Sequence, residues 1–129
     1  MPASEVSTRG IRVKAESTYV PERSRPHDNY WFFAYTIVVR NEGTLAAQLV
    51  SRHWIITDSD GRTEQVRGPG VVGQQPVIDP GESFEYTSFC PLTTSFGTMH
   101  GTYQMVAENG ERFDAEIAPF ALGEPFSIN

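Results

Sequence analysis

A chain of 129 residues with 39% hydrophobic and 12% aromatic side chains has the size and composition of one globular domain, which excludes a disordered protein. The formal net charge of −6 and a single lysine, Lys14, exclude the basic surface that nucleic-acid binding requires. Since no signal peptide starts the sequence and no apolar run has membrane-spanning length, we expect a cytoplasmic protein without membrane insertion.

The hydrophobic pattern predicts strands along the whole chain. Ile11, Val13 and Ala15 alternate with polar residues, which is the period of a strand with one face in water. Residues 30–40 are apolar on both faces and are therefore predicted to lie inside a sheet. The other predicted strands cover residues 45–57, 62–67, 83–89, 97–107 and 111–117, with a loose terminus at residues 1–9 and an exposed loop at residues 20–29.

Short turns separate these strands. Asp60-Gly61 and Asn109-Gly110 predict two-residue hairpins, and Pro80-Gly81 has the residues of a type II turn. Pro119 shifts the apolar pattern by one residue, which predicts a bulge or an edge position in the last strand. About eight short strands with frequent turns and no helical period are typical of a β-sandwich.

The chain is therefore predicted to form a single all-β domain over residues 1–129, with the domain core at about residues 6–122. The fold class is an immunoglobulin or fibronectin type III-like β-sandwich. The predicted core consists of inward-facing side chains at alternate positions: Trp31, Phe33, Tyr35, Ile37, Trp54, Phe84, Tyr86, Tyr103, Met105 and Phe113.

Residues 68–81 interrupt the strand pattern with four glycines and three prolines, which excludes a helix or a central strand. The segment begins with the string G-x-G-x-x-G at Gly68, Gly70 and Gly73. In dinucleotide-binding proteins this string leads into a helix whose N-terminus meets the pyrophosphate, but the prolines forbid such a helix here.

Two interpretations of this glycine string remain open. In the first, the glycines satisfy the backbone geometry of a tight loop. In the second, the amides of Gly68, Gly70 and Gly73, assisted by Arg67, bind a pyrophosphate or a nucleotide such as a diadenosine polyphosphate.

The same segment carries two adjacent valines. Val71 and Val72 cannot easily both turn inward, so at least one is predicted to be an exposed apolar contact for a partner, beside Phe96.

The sequence assembles no catalytic or metal site. His27, His53 and His100 lie far apart, and the single cysteine, Cys90, can build neither a zinc site nor a disulfide. Cys90 precedes a proline with no histidine near it in sequence, so it is predicted to be a small buried side chain. We expect no enzyme activity, no metal and no cofactor.

Several strings, in order, resemble the ApaG family over about residues 6–122. They are Arg52-His53-Trp54, Gly68-x-Gly70-Val71-Val72-Gly73-x-Gln75-Pro76, Pro80-Gly81, Tyr86-Thr87-Ser88 and Phe96-Gly97-x-Met99-x-Gly101-x-Tyr103-x-Met105. Two departures fall before the strand at Gly97, where Phe89 replaces the usual glycine and the usual proline near Ser95 is absent.

The resemblance implies a fibronectin type III-like sandwich and a link to cobalt and magnesium tolerance or efflux, under the bacterial name CorD. Genes of this family commonly lie beside a gene for a diadenosine tetraphosphate hydrolase. The related domains of eukaryotic F-box proteins are protein-interaction modules, which implies such a role here. The leading hypothesis is a non-enzymatic module that binds another protein. Homodimerisation through an unprotected edge strand is a second use of the same chemistry, and a phosphate-containing small molecule is the alternative ligand.

Overall fold

The computed structural model describes residues 2–125, which form two antiparallel sheets packed face to face. Their strands are β1 (Ala3–Thr8), β2 (Ile11–Tyr19), β3 (Trp31–Asn41), β4 (Ala47–Asp58), β5 (Thr63–Pro69), β6 (Val77–Ile78), β7 (Ser83–Leu92), β8 (Phe96–Ala107) and β9 (Arg112–Gly123). The only helical pieces in this part of the chain are two 3-10 turns, Pro21–Arg23 and Pro26–Asp28. The prediction of an all-β sandwich is confirmed.

The first sheet has the order β1-β2-β3-β7 and the second the order β5-β4-β8-β9, with the short β6 also paired to β4. β3 lies between β2 and β7, as its two apolar faces predicted. β5 and β7 are edge strands of the two sheets. We call the side of the sandwich between these two strands the open side.

The prediction of a loose N-terminus is wrong. β1 pairs with β2 along its whole length, with Val6 opposite Val13. The two strands join at Arg9 and Gly10, whose φ angles of 50° and 85° give the left-handed backbone of a two-residue hairpin.

The edge of the sandwich opposite the open side is closed by side chains of β1 and β2. The Ser4 hydroxyl donates to the Ala118 carbonyl at 2.7 Å, and the Ser17 hydroxyl donates to the Ala121 carbonyl at 2.6 Å. These bonds satisfy backbone carbonyls of the edge strand β9, so that this edge presents fewer free groups to other chains.

The predicted irregularity at Pro119 is a bulge in β9. Met99 lies opposite Phe120 and Gly101 opposite Ile117, so one residue of β8 faces two residues of β9. The extra residue returns Phe120 to the inner face, which explains the shift of the apolar pattern.

Aromatic rings fill the space between the sheets. Trp54 makes edge-on contacts with Tyr35, Tyr103 and Phe120, with ring centroids 5.5–6.3 Å apart. Of the ten predicted core residues, seven are buried, while Trp31, Phe84 and Phe113 are partly buried against the same core.

Candidate functional site

The glycine-rich loop (residues 68–81) covers the open side of the sandwich. Gly68 and Pro69 still belong to β5, after which the Gly70 amide donates to the Val50 carbonyl at 2.8 Å. The loop then crosses above Tyr35 and Tyr86 of the other sheet, which line a cleft together with it.

Arg52 fixes the start of this loop. Its Nη1 donates to the carbonyl oxygens of Pro69 at 3.0 Å and Gly70 at 2.9 Å. The guanidinium also lies against Gly68, where a β-carbon would stand 3.0 Å from Nη1 and Nη2. A side chain at position 68 would therefore push the guanidinium away by a few tenths of an ångström, while the φ of Gly68 lies outside the left-handed region.

Residues 71–74 form a tight turn, which we call the valine turn. The Val71 amide donates to the Gln74 carbonyl at 2.8 Å, and the Gln74 amide returns a bond to the Val71 carbonyl at 2.9 Å. The central residues Val72 and Gly73 have φ angles of 43° and 79°, which is the left-handed backbone of a type I′ turn. A β-branched residue rarely adopts this conformation, so Val72 holds local strain.

The remaining glycine of the string has a third role. Gly70 has a φ of 57°, and a β-carbon there would lie 2.1 Å from the Gln74 carbonyl oxygen. The three glycines therefore serve three separate steric needs: room for Arg52 at Gly68, room for the folded loop at Gly70 and a left-handed turn at Gly73.

This geometry bears on the phosphate interpretation of the string. The amides of Gly70, Val71 and Gln74 are bonded to carbonyls of the chain, and Pro69 has none. Arg67 lies opposite His53 and, together with Thr102 and Arg52, lines a second depression, while it is absent from the lining of the cleft below the loop. The structure thus does not bring Arg67 to the valine turn.

The predicted partner-contact residues fall in three different environments. Val71 is buried, with 1% of its surface exposed, whereas Val72 is 53% exposed. One of the two valines faces outward, as predicted.

Phe96 lies far from the two valines. It begins β8 beside Gly97, and Gly97 pairs with Asp58 of β4, whereas Pro69 at the start of the loop pairs with Ser51 of β4. These two positions are seven residues apart on β4, or about 23 Å along the strand, so Phe96 does not join this surface.

Below the valine turn lies a cleft of about 350 Å³, called the Arg52 cleft. It is lined by Tyr35, Arg52, Val72, Tyr86 and Ser88, with Pro69, Val71 and Gly73 completing the rim. The sequence analysis missed Arg52, although a signal existed, since Arg52 lies two residues before the buried Trp54 and therefore shares its inward-facing parity.

Burial controls the titration of the phenols in and below this cleft. It raises the pKa of Tyr35, an effect opposed by a hydrogen bond from Ser88 and by the positive charge of Arg52. Burial likewise raises the pKa of Tyr86, whose hydroxyl is hydrogen-bonded to that of Tyr103 inside the core. These hydroxyls therefore keep their protons at neutral pH.

His53 and Cys90 do not line this cleft. His53 Nε2 lies 2.8 Å from Gln65 Oε1 on the outer face of the second sheet. Within residues 2–125, no group of three or more His, Cys, Asp or Glu side chains could hold a metal ion. Cys90 is buried, as predicted, and burial together with the charge of Glu64 raises its pKa to about 12, so it is not a thiolate at neutral pH.

The structure defines an all-β sandwich protein with a fixed loop over one polar cleft. Residues 21–107 match the sequence profile of the ApaG domain, and the chain belongs to the ApaG domain family. Protein ApaG of Anaeromyxobacter dehalogenans is 56% identical over 126 residues, covering 98% of this chain and 99% of that one. Protein ApaG of Azotobacter vinelandii is 53% identical over 119 residues, with coverages of 92% and 94%.

A solved structure shows the same architecture. The crystal structure of a protein from Bordetella pertussis, described as ApaA, is 54% identical and superimposes with a TM-score of 0.87 over 89% of this chain and 94% of that one. In the described part of the present chain, no helix is long and apolar enough to cross a membrane.

The strain at Val72 makes a direct prediction for stability. Asn-Gly is the favoured pair at the centre of a type I′ turn, so Val72→Asn should raise the free energy of unfolding by about 1 kcal/mol. Urea denaturation followed by tryptophan fluorescence measures this change. Val77→Asn is the matched control, because Val77 is 60% exposed without a left-handed backbone and should show no gain. A lower free energy of unfolding in Val72→Asn than in the wild type would contradict the backbone strain assigned to Val72.

Proposed function

We propose that the chain is a non-catalytic binding module that docks an extended segment of another protein along the open side, beside the valine turn. The observation that carries the proposal is Val72 itself. It is an apolar side chain held 53% exposed in a strained backbone, at the tip of a loop that the chain anchors by several hydrogen bonds. Backbone strain of this kind clusters at functional sites, where the surrounding structure holds it in place.

The edge strand β7 supplies the second half of the docking surface. Among the described residues it pairs only with β3, so its outer edge offers backbone amides and carbonyls to an added strand. Pro91 near its end is compatible with an edge position. Ser88 of this strand and Val72 line the same cleft, so one extended segment can contact both.

A binding role also agrees with the chemistry of the described residues. The one thiol is buried with a raised pKa, and the tyrosine hydroxyls near the cleft stay protonated, so none of them is an activated nucleophile. The free, buried Cys90 suits a reducing compartment, and we place the protein in the cytoplasm.

We extend the proposal to the link with cobalt and magnesium tolerance that the family resemblance implies. The link would act through the docked partner and not through an ion held by this chain, because residues 2–125 contain no metal-ligating group of three side chains.

Calorimetric titration with Co²⁺ and Mg²⁺ tests this indirect link. We expect heats that vanish at high ionic strength, as for ions attracted only by an acidic surface, because roughly half-molar salt shortens the Debye length to a few ångströms. A stoichiometric site that keeps micromolar affinity at high salt would contradict it.

The docking surface is tested by comparing two exposed apolar side chains. Val72→Asp should abolish capture of partners in an in-cell crosslinking experiment, because a charge at the turn cannot enter an apolar contact. Leu45→Asp, which alters a leucine that is 40% exposed outside the glycine-rich loop, beside Arg9 and Phe113, should leave the captured set unchanged. Equal capture by wild type and a folded Val72→Asp variant would remove the valine turn from the interface. Light scattering on the same proteins identifies a second copy of the chain as the partner if only the wild type dimerises.

A further inference from the structure

We propose that the Arg52 cleft binds an acidic side chain of the docked partner through its carboxylate. This inference rests on the proposed docking function and names the chemistry that the partner must bring. The cationic group of this cleft is Arg52, below the valine turn, whereas Arg67 pairs with His53 and does not line the cleft.

The first support is an arginine charge without a counter-charge. Arg52 is partly buried, and no carboxylate of residues 2–125 lies within 4.0 Å of it. Its two hydrogen bonds, to the carbonyls of Pro69 and Gly70, both come from Nη1. A guanidinium has five N–H donors, so Nη2 and Nε keep donors that the described chain does not use. A partly desolvated cation of this kind gains most from an anion.

The second support is the set of neutral donors around the same space. Tyr35 and Ser88 line the cleft with hydroxyl groups that are hydrogen-bonded to each other, so one of their two protons remains for a ligand, and the tyrosine hydroxyl keeps its proton at neutral pH. The amides of Val72 and Gly73 at the rim donate no hydrogen bond within residues 2–125. Hydroxyls, amides and a guanidinium on one cleft form a donor set for an oxyanion.

Charge decides between a carboxylate and a phosphate. The cleft contains one guanidinium, and no other arginine or lysine lines it. A carboxylate balances that single charge and matches the planar fork of arginine. A phosphate dianion would leave an excess negative charge in a partly buried cleft of a chain whose net charge is already −6.

The test uses the full chain, labelled with ¹⁵N, and two probes at constant ionic strength: sodium acetate and sodium phosphate, with sodium chloride as the reference. We expect acetate to give saturable shifts of the Val72, Gly73 and Ser88 amide signals, with an affinity at least about tenfold higher than that of phosphate.

Three variants locate the site. Arg52→Gln should lower the acetate affinity at least about tenfold, and Ser88→Ala, which keeps Arg52 and its loop contacts, should lower it about threefold. Arg67→Gln is the matched control, since it removes an arginine outside the cleft, and it should bind acetate as the wild type does.

Several outcomes overturn the inference. No saturable shift with acetate removes the carboxylate site, while partner capture that still depends on Val72 leaves the docking function standing. Tighter binding of phosphate than of acetate assigns the cleft to a different ligand. Unchanged acetate affinity in Ser88→Ala, or a loss in Arg67→Gln, places the anion elsewhere on the protein.

Discussion

The contact between Arg52 and the glycine-rich loop determines the shape of the open side. The guanidinium lies flat against Gly68 and bonds the carbonyls of Pro69 and Gly70, so the loop leaves β5 in one fixed direction. That direction carries Val71 into the core and sets the valine turn above Tyr35 and Tyr86. Without the arginine, two carbonyls near the loop start would lose their donor, and the cleft would lose one wall.

The glycines of a G-x-G-x-x-G string can meet different steric requirements in different folds. In a dinucleotide-binding fold its glycines bring a backbone close to a pyrophosphate at a helix N-terminus. Here they admit a guanidinium, a close carbonyl and a left-handed turn, and no helix follows the string in the chain up to residue 125. Of the amides near this turn, those of Gly70, Val71 and Gln74 are bonded within the chain, while those of Val72 and Gly73 donate to no group of residues 2–125. The positive charge in the cleft comes from a side chain below the loop, that of Arg52.

Much of the fold was predictable because its signals are local. The alternation of apolar and polar residues predicted β2 to β5 and β7 to β9, and the shift of that pattern at Pro119 predicted the bulge. β1 was missed because Val6 is its one large apolar residue and its order comes from pairing with β2 and from the Ser4 bond to β9. The site was harder to predict. Arg67 alternates with the inward-facing Val66 and so faces outward, whereas Arg52 shares the parity of Trp54. Only the packing of two sheets shows which arginine lies below the loop.

The most direct test of this account is a double-mutant cycle on Gly68 and Arg52, measured as free energies of unfolding in urea. If the glycine exists to seat the guanidinium, Gly68→Ala should cost about 1.5 kcal/mol in the wild type, because it displaces a charged donor from two carbonyls. The same substitution should then cost less than about 0.5 kcal/mol in an Arg52→Ala background, where that contact is already lost. An equal cost in both backgrounds would contradict the role assigned to Arg52.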